Sequence, residues 1–151
     1  MRPVWEHPFE RESIPMLTIG KLAALADVRT DTLRYYERER LLTPAGKSSS
    51  GYRLYDGDSV RRIRFIKQAQ HCGFTLVEIA QLLALRHQAS ARCGDVRKIA
   101  VGKKRQLQAR IRMMKTMSKA LDHLIADCSV ASHPVDKCPI LSALDHANDV
   151  R

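Results

Sequence analysis

Residues 95–127 constrain this chain more than any other stretch. They contain no Pro, and their one Gly, Gly102, stands near the start. Ala100, Leu107, Ile111, Met114, Leu121 and Ile125 fall on one phase of a four-three repeat, with Lys104 and Ser118 as polar interruptions. That period marks the seam of a coiled coil. About 33 residues of helix at 1.5 Å each make a rod of roughly 50 Å. A narrow apolar stripe on an otherwise polar helix has to be covered, either by the core of its own domain or by a second helix. A rod this long outruns a small domain, so the expectation is a two-helix dimer seam.

Cysteines bracket the rod. Cys93 lies just before it, and Cys128 and Cys138 lie just after it, around Cys128-Ser-Val-Ala-Ser-His133-Pro-Val-Asp-Lys-Cys138. With helix between them, Cys93 and Cys128 stand about 50 Å apart in one chain and cannot share an ion. In an antiparallel dimer the start of one rod lies beside the end of the other. Cys93 of one subunit would then face Cys128 and Cys138 of the partner subunit, once at each end.

The chain has 151 residues and a formal charge of +10, from 26 Lys and Arg against 16 Asp and Glu. That is enough for one compact domain with an extension. The positive excess favours a polyanionic partner, nucleic acid before a membrane surface. No run approaches the roughly 18 apolar residues of a membrane span. Residues 1–15 carry Glu6, Glu10 and Glu12 without an apolar core, so they read as a flexible leader and not as an export signal, with Met16 an alternative start. The expected compartment is the reducing cytoplasm, where cysteines serve as ligands or core residues and not as disulfides.

From Leu17 the pattern becomes regular. Thr18 can cap a helix reaching Ala26, Asp27-Val28 breaks it, and Thr30 can cap a second helix over Asp31–Arg40 with Leu33 and Tyr36 inward. Two short helices about a tight turn read as a helix-turn-helix. The second helix presents Thr30, Arg34 and Tyr35 to phosphates and base edges in a major groove. Pro44–Gly51 is rich in turn formers, and Tyr52-Arg53-Leu54-Tyr55 alternates as a strand does. Together they read as a wing, with Lys47 and Arg53 in reach of backbone phosphates. Asp56 or Asp58 then caps a third helix, Ser59–His71, with Val60, Ile63, Ile66 and Ala69 inward and Arg61, Arg62, Arg64 and Lys67 toward its outer side. Thr75 caps a fourth helix, Leu76–Arg86, with Ile79, Leu82 and Leu83 internal. Residues 17–70 hold 11 basic and 6 acidic side chains. Cys72 has no partner at ligand spacing and is expected to be a small core residue. His71, His87 and His123 are expected at the surface or at helix ends. The resulting plan is a leader (1–15), a DNA-binding domain (16–86), a connector (87–94), a dimerisation helix (95–127), a loop (128–140) and a C-terminal segment (141–151).

Four blocks carry a family resemblance: Thr18-Ile-Gly-Lys-Leu-Ala, Asp31-Thr-Leu-Arg-Tyr-Tyr-Glu37, Gly51-Tyr-Arg-Leu-Tyr55 and Gly73-Phe-Thr-Leu-Val-Glu-Ile79. They resemble the MerR family of transcriptional regulators, over about residues 17–140. The resemblance implies a mainly α protein, with a winged helix-turn-helix domain on a long antiparallel coiled-coil helix and a C-terminal metal-binding loop. It implies a homodimer on double-stranded promoter DNA that works with RNA polymerase. It also implies DNA contacts at Arg34, Tyr35, Arg53 and Tyr55.

Cys93, Cys128 and Cys138 match ligand positions of the metal-sensing branch. There, a Cys before the dimerisation helix goes with divalent ions, whereas copper sensors carry Ser, so Cys93 argues against Cu(I). Three thiolates at one point suit a soft dication. His133 matches a zinc-sensor ligand, and three Cys with one His make a closed tetrahedral zinc set. Zinc sensors carry a second Cys directly after the position of Cys128, where this chain has Ser129. That points to one ion per site and keeps Hg(II), Pb(II) and Cd(II) as alternatives to Zn(II). The function so implied is metal-responsive activation of an efflux or resistance gene through DNA distortion. A regulator of a redox or organic signal is the rival within the family. Redox sensing would need clustered cysteines, and only 11 residues follow Ile140 where an organic-ligand domain would stand. An enzyme is not expected, because catalytic zinc needs an open position and a general base, and the loop offers only Asp136.

Overall fold

The computed structural model describes residues 15–146, so all but Pro15 of the expected leader lies outside the described residues. The chain divides into two compact units between Val96 and Arg97. In the first, helix α1 (Ile19–Ala26) starts where Thr18 Oγ1 accepts from the Lys21 amide at 3.4 Å. It stops at Asp27, whose left-handed φ of 53° returns its N–H to the Ala23 and Ala24 carbonyls. Helix α2 spans Thr30–Arg38 and differs from the sequence expectation at both ends. Thr30 is its first residue, and the capping position falls to Arg29, whose side chain makes no cap hydrogen bond. At the other end Arg40 turns to φ 58° instead of continuing the helix. That turn sends Leu41 and Leu42 into the core, with both amides donating to the Tyr36 carbonyl.

Strands β1 (Gly46–Lys47) and β2 (Arg53–Leu54) pair antiparallel, with Gly46 opposite Leu54 and Lys47 opposite Arg53. The turn-rich segment therefore contains a strand of its own, too short to show alternation. Gly51, at φ 84°, closes the hairpin by donating to the Ser48 carbonyl at 2.9 Å. Tyr55 and Leu17 exchange two backbone hydrogen bonds of 2.7 and 2.8 Å, tying the base of the wing to the chain entering α1. Helix α3 (Gly57–His71) is capped by Asp56, which accepts from the Ser59 amide at 3.0 Å, and helix α4 (Leu76–Arg86) opens on a Thr75–Glu78 capping box.

Leu22, Leu33, Tyr55, Ile63, Ile66 and Ile79 are fully buried and make the centre of the core. Val60, Ala69 and Leu83 join them as the periodicity predicts, while Leu82 is half-buried. Cys72 is not a core residue. It is exposed at the C-cap of α3, one residue past the last helical turn and so out of phase with the inward stripe. Arg62 donates to the Leu41 carbonyl, Arg64 to the Leu25 carbonyl at 3.3 Å, and Lys67 to those of Ala26 and Asp27 at 3.2 and 2.7 Å. Two of these cations thus sit on the carbonyl end of α1, where the helix dipole favours positive charge. Tyr36 links α2 to α3 by donating to Gln70 Oε1 at 2.8 Å.

Helix α5 runs Cys93–Asp127, starting two residues earlier than its apolar period suggests. Asp95 Oδ2 accepts from the Arg92 amide at 2.8 Å, which satisfies the backbone at the helix entrance and leaves Cys93 on the first turn. In the second unit Ile111, Met114, Leu121 and Ile125 are 52–65 % exposed. Met113 and Met117, one step round the helix, are exposed as well. Beyond α5, a 3-10 turn (Val135–Lys137) leads into helix α6 (Pro139–Asp145), so regular structure resumes inside the expected loop. Pro139 explains this, since its fixed φ suits the first helical position. Among the described residues no helix is long and apolar enough to cross a membrane.

Two outcomes follow from this packing. Ile111→Asp places a carboxylate on the expected coiled-coil seam, at a large desolvation cost in a dimer paired there, and sedimentation should show monomers; a persistent dimer would place the seam elsewhere. Tyr36→Phe removes the bond to Gln70 and should cost about 1 kcal/mol in denaturant unfolding. Burial raises the Tyr36 pKa, so the folded protein holds this proton more tightly than the unfolded chain. That stabilisation is complete below about pH 10 and is lost as pH rises through the higher folded value. The Phe variant should lose this alkaline component, and an unchanged alkaline profile would contradict it.

Candidate nucleic-acid interface and metal residues

The outer face of α2 carries Arg34 and Tyr35, both exposed, with Thr30 half-buried at its start. Arg34 Nη1 donates to Asp31 Oδ1 at 3.1 Å, and Asp31 also lies 3.8 Å from Arg29. Such exposed pairs contribute at most about 1 kcal/mol, so they orient the guanidinium without locking it away. The Arg38 guanidinium stands 5.7 Å from the centre of the Tyr35 ring. Sequence reasoning passed over Arg38, although its spacing three residues past Tyr35 already put it on that face.

On the wing, Lys47 and Arg53 oppose each other across the ladder, which places both side chains on one face. Lys47 is exposed and the Arg53 side chain is 54 % exposed. Arg53 Nη1 donates to Glu37 Oε2. Tyr55 departs from expectation. It is wholly buried, and its hydroxyl donates to Glu37 Oε1, so its ring offers DNA no surface. The expected contact came from the family resemblance alone, and in this chain Tyr55 leaves the wing to pair with Leu17.

The sulfur donors are all free thiols. Cys93 is exposed and borders an apolar cavity of about 300 Å³ lined by Phe65, Leu82, Leu85, Ala91 and Val96 with the stems of Arg86 and Arg92. Cys128 is half-buried directly after α5, its amide donating to the Leu124 carbonyl at 3.3 Å. His133 is exposed, and Cys138 is half-buried directly before Pro139. Among the described residues of one chain, no three His, Cys, Asp or Glu side chains come together to hold an ion.

Known proteins give this geometry a context. Residues 17–85 match the model described as "MerR HTH family regulatory protein", and residues 60–124 match "MerR, DNA binding". The HTH-type transcriptional regulator ZntR of Escherichia coli K12 is 33 % identical over 131 residues, covering 86 % of this chain and 93 % of that protein. The chain belongs to the MerR family of transcriptional regulators. A second relative, the mercuric resistance operon regulatory protein of Bacillus cereus, is 35 % identical over 83 % of this chain and 95 % of its own length. Among solved structures, the transcription regulator PbrR691 from Ralstonia metallidurans CH34 in complex with lead(II) superposes with a TM-score of 0.78. It is 32 % identical over 85 % of this chain and 99 % of that one. MerR regulators bind promoter DNA, act as dimers and are not enzymes.

For this MerR regulator, Arg34→Ala should weaken operator binding by about 1–3 kcal/mol if the guanidinium reads a base edge. Competition against unrelated DNA at moderate salt checks it, and unchanged discrimination would remove Arg34 from the contact face.

Proposed function

We propose that this MerR regulator is a metal-responsive activator whose dimer holds a divalent ion at each end of its rod, and that Zn(II) is the ion. The operator contacts in this reading are Thr30, Arg34 and Tyr35 on α2 and Lys47 and Arg53 on the wing. Tyr55 acts behind them through Glu37. One observation carries the reading of the sensor. The helix that begins at Cys93 ends at Asp127, the residue before Cys128, so a thiol stands at each end of a rod about 50 Å long. The apolar stripe between them is exposed and fits a second copy of itself. In an antiparallel pair Cys93 meets Cys128, His133 and Cys138 of the partner subunit.

The donor set fits the group. Three free thiols and one imidazole complete a tetrahedral zinc shell with no position left for water. Bound there, the ion supplies a tie between two chains, not chemistry on a substrate. The chain's own residues do the rest. The segment after Asp127 and the first turn of the partner's α5 become one unit, and the DNA-binding domains shift with it. Distortion of the promoter then sets its alignment for RNA polymerase in the cytoplasm, so specificity rests in part on how readily that DNA deforms. An efflux or resistance gene is the fitting target. The lead(II) complex of a relative at 32 % identity and the mercuric resistance relative support a second reading, with the same three thiols holding Pb(II), Hg(II) or Cd(II).

Mixed dimers test the shared site. A Cys93→Ser subunit paired with a Cys128→Ser/Cys138→Ser subunit keeps one complete site and leaves the other with no thiol at all. The mixed dimer should bind one ion tightly, while each mutant homodimer binds much more weakly. Affinity should fall toward low pH, because each thiol must release a proton to bind. A mixed dimer no better than the homodimers would show that the chains do not share the ion.

A further inference from the structure

Glu37 is an almost buried carboxylate, its side chain only 9 % exposed, that is not itself among the proposed DNA contacts. It lies on α2 one turn past Arg34. Its two oxygens accept from Arg53 on β2 and from Tyr55 at the base of the wing, Oε2 from Arg53 Nη1 and Oε1 from the Tyr55 hydroxyl. We propose that Glu37 is a positioning residue for DNA binding, setting the wing in fixed register with the recognition helix so that phosphate and base-edge contacts engage as one unit. This rests on the reading of Arg53 as a phosphate contact.

Three features support it. A carboxylate taken out of water is costly unless both oxygens are satisfied, and here each has a donor. Arg53 directly opposes Lys47, and like charges at that position repel. Glu37 offsets the repulsion from the Arg53 side while engaging one of five guanidinium donors, and the half-exposed remainder can take a phosphate oxygen. Tyr55 closes the arrangement from behind, because its ring is buried and its backbone is bonded to Leu17. Glu37 therefore joins α2, the wing and the chain entering α1.

The test uses the full-length dimer and a promoter duplex selected for tight binding to it. Affinity is measured across a salt series for the wild type, Glu37→Gln, Arg53→Ala and the double variant. Glu37→Gln should weaken binding about tenfold, and the loss should vanish in the Arg53→Ala background, because one residue acts through the other. Arg53→Ala should lower the salt slope by about 1. Tyr55→Phe keeps the ring and removes only the hydroxyl. It should weaken binding about threefold, again only when Arg53 is present, which keeps the test open should Glu37→Gln fold poorly. Unchanged or tighter binding by Glu37→Gln would overturn the proposal, as would a loss that adds in full to that of Arg53→Ala. An Arg53→Ala variant with wild-type affinity and salt slope would instead remove the phosphate contact on which the proposal rests.

Discussion

An apolar stripe along α5 that its own chain leaves uncovered is the constraint on which the rest of this structure depends. Ile111, Met114, Leu121 and Ile125 remain more than half exposed among the described residues. Water penalises apolar area in proportion to what is left bare, at roughly 25 cal/mol per Å². A second α5 presenting the same stripe covers both. Dimerisation thus answers the need of so long a helix. In the proposed antiparallel pair, residues about 50 Å apart in one chain become neighbours across two.

The DNA-binding unit obeys a different rule. Its core is small, and polar pins fix the relative placement of its elements. Arg64 and Lys67 of α3 hold the carbonyl end of α1, Tyr36 of α2 holds Gln70 of α3, and Glu37 of α2 holds Arg53 and Tyr55. The pins on Tyr36, Glu37 and Tyr55 satisfy groups that would be costly to bury alone. Each also links elements that hydrophobic packing alone would let slide. If the wing takes phosphates and α2 takes base edges, as proposed, that rigidity helps, because contacts set in advance lose less entropy on binding.

What was legible in the sequence follows the same division. Periodicity located all five long helices, since apolar spacing and capping residues such as Thr18, Asp56 and Thr75 are local signals. The inward sets Leu33/Tyr36 and Ile63/Ile66/Ala69 came from the same spacing. Features that depend on distant parts of the chain were misread. Tyr55 was expected at the DNA from the family resemblance, but its placement is decided by Leu17 and Glu37. The cations of α3 were expected toward its outer side, yet three of them reach backbone carbonyls 21–41 positions away in the chain. Cys72 looked like core, and a helix end one residue past the inward phase put it outside. At the candidate sensor, the signal was the placement of Cys93, Cys128, His133 and Cys138 at the two ends of the rod together with their match to the metal-sensing branch of the family. In one chain these residues form no cluster.

Sensing in the proposed dimer depends on ligand count. One chain supplies at most two cysteines at the C-terminal end of its rod, Cys128 and Cys138, so a third sulfur has to come from the other subunit. X-ray absorption at the metal edge of the zinc-loaded dimer measures that number directly. The account predicts two ions per dimer, each with three sulfurs at about 2.3 Å and one nitrogen at about 2.0 Å. Two sulfurs per ion, a set one chain can provide by itself, would contradict it.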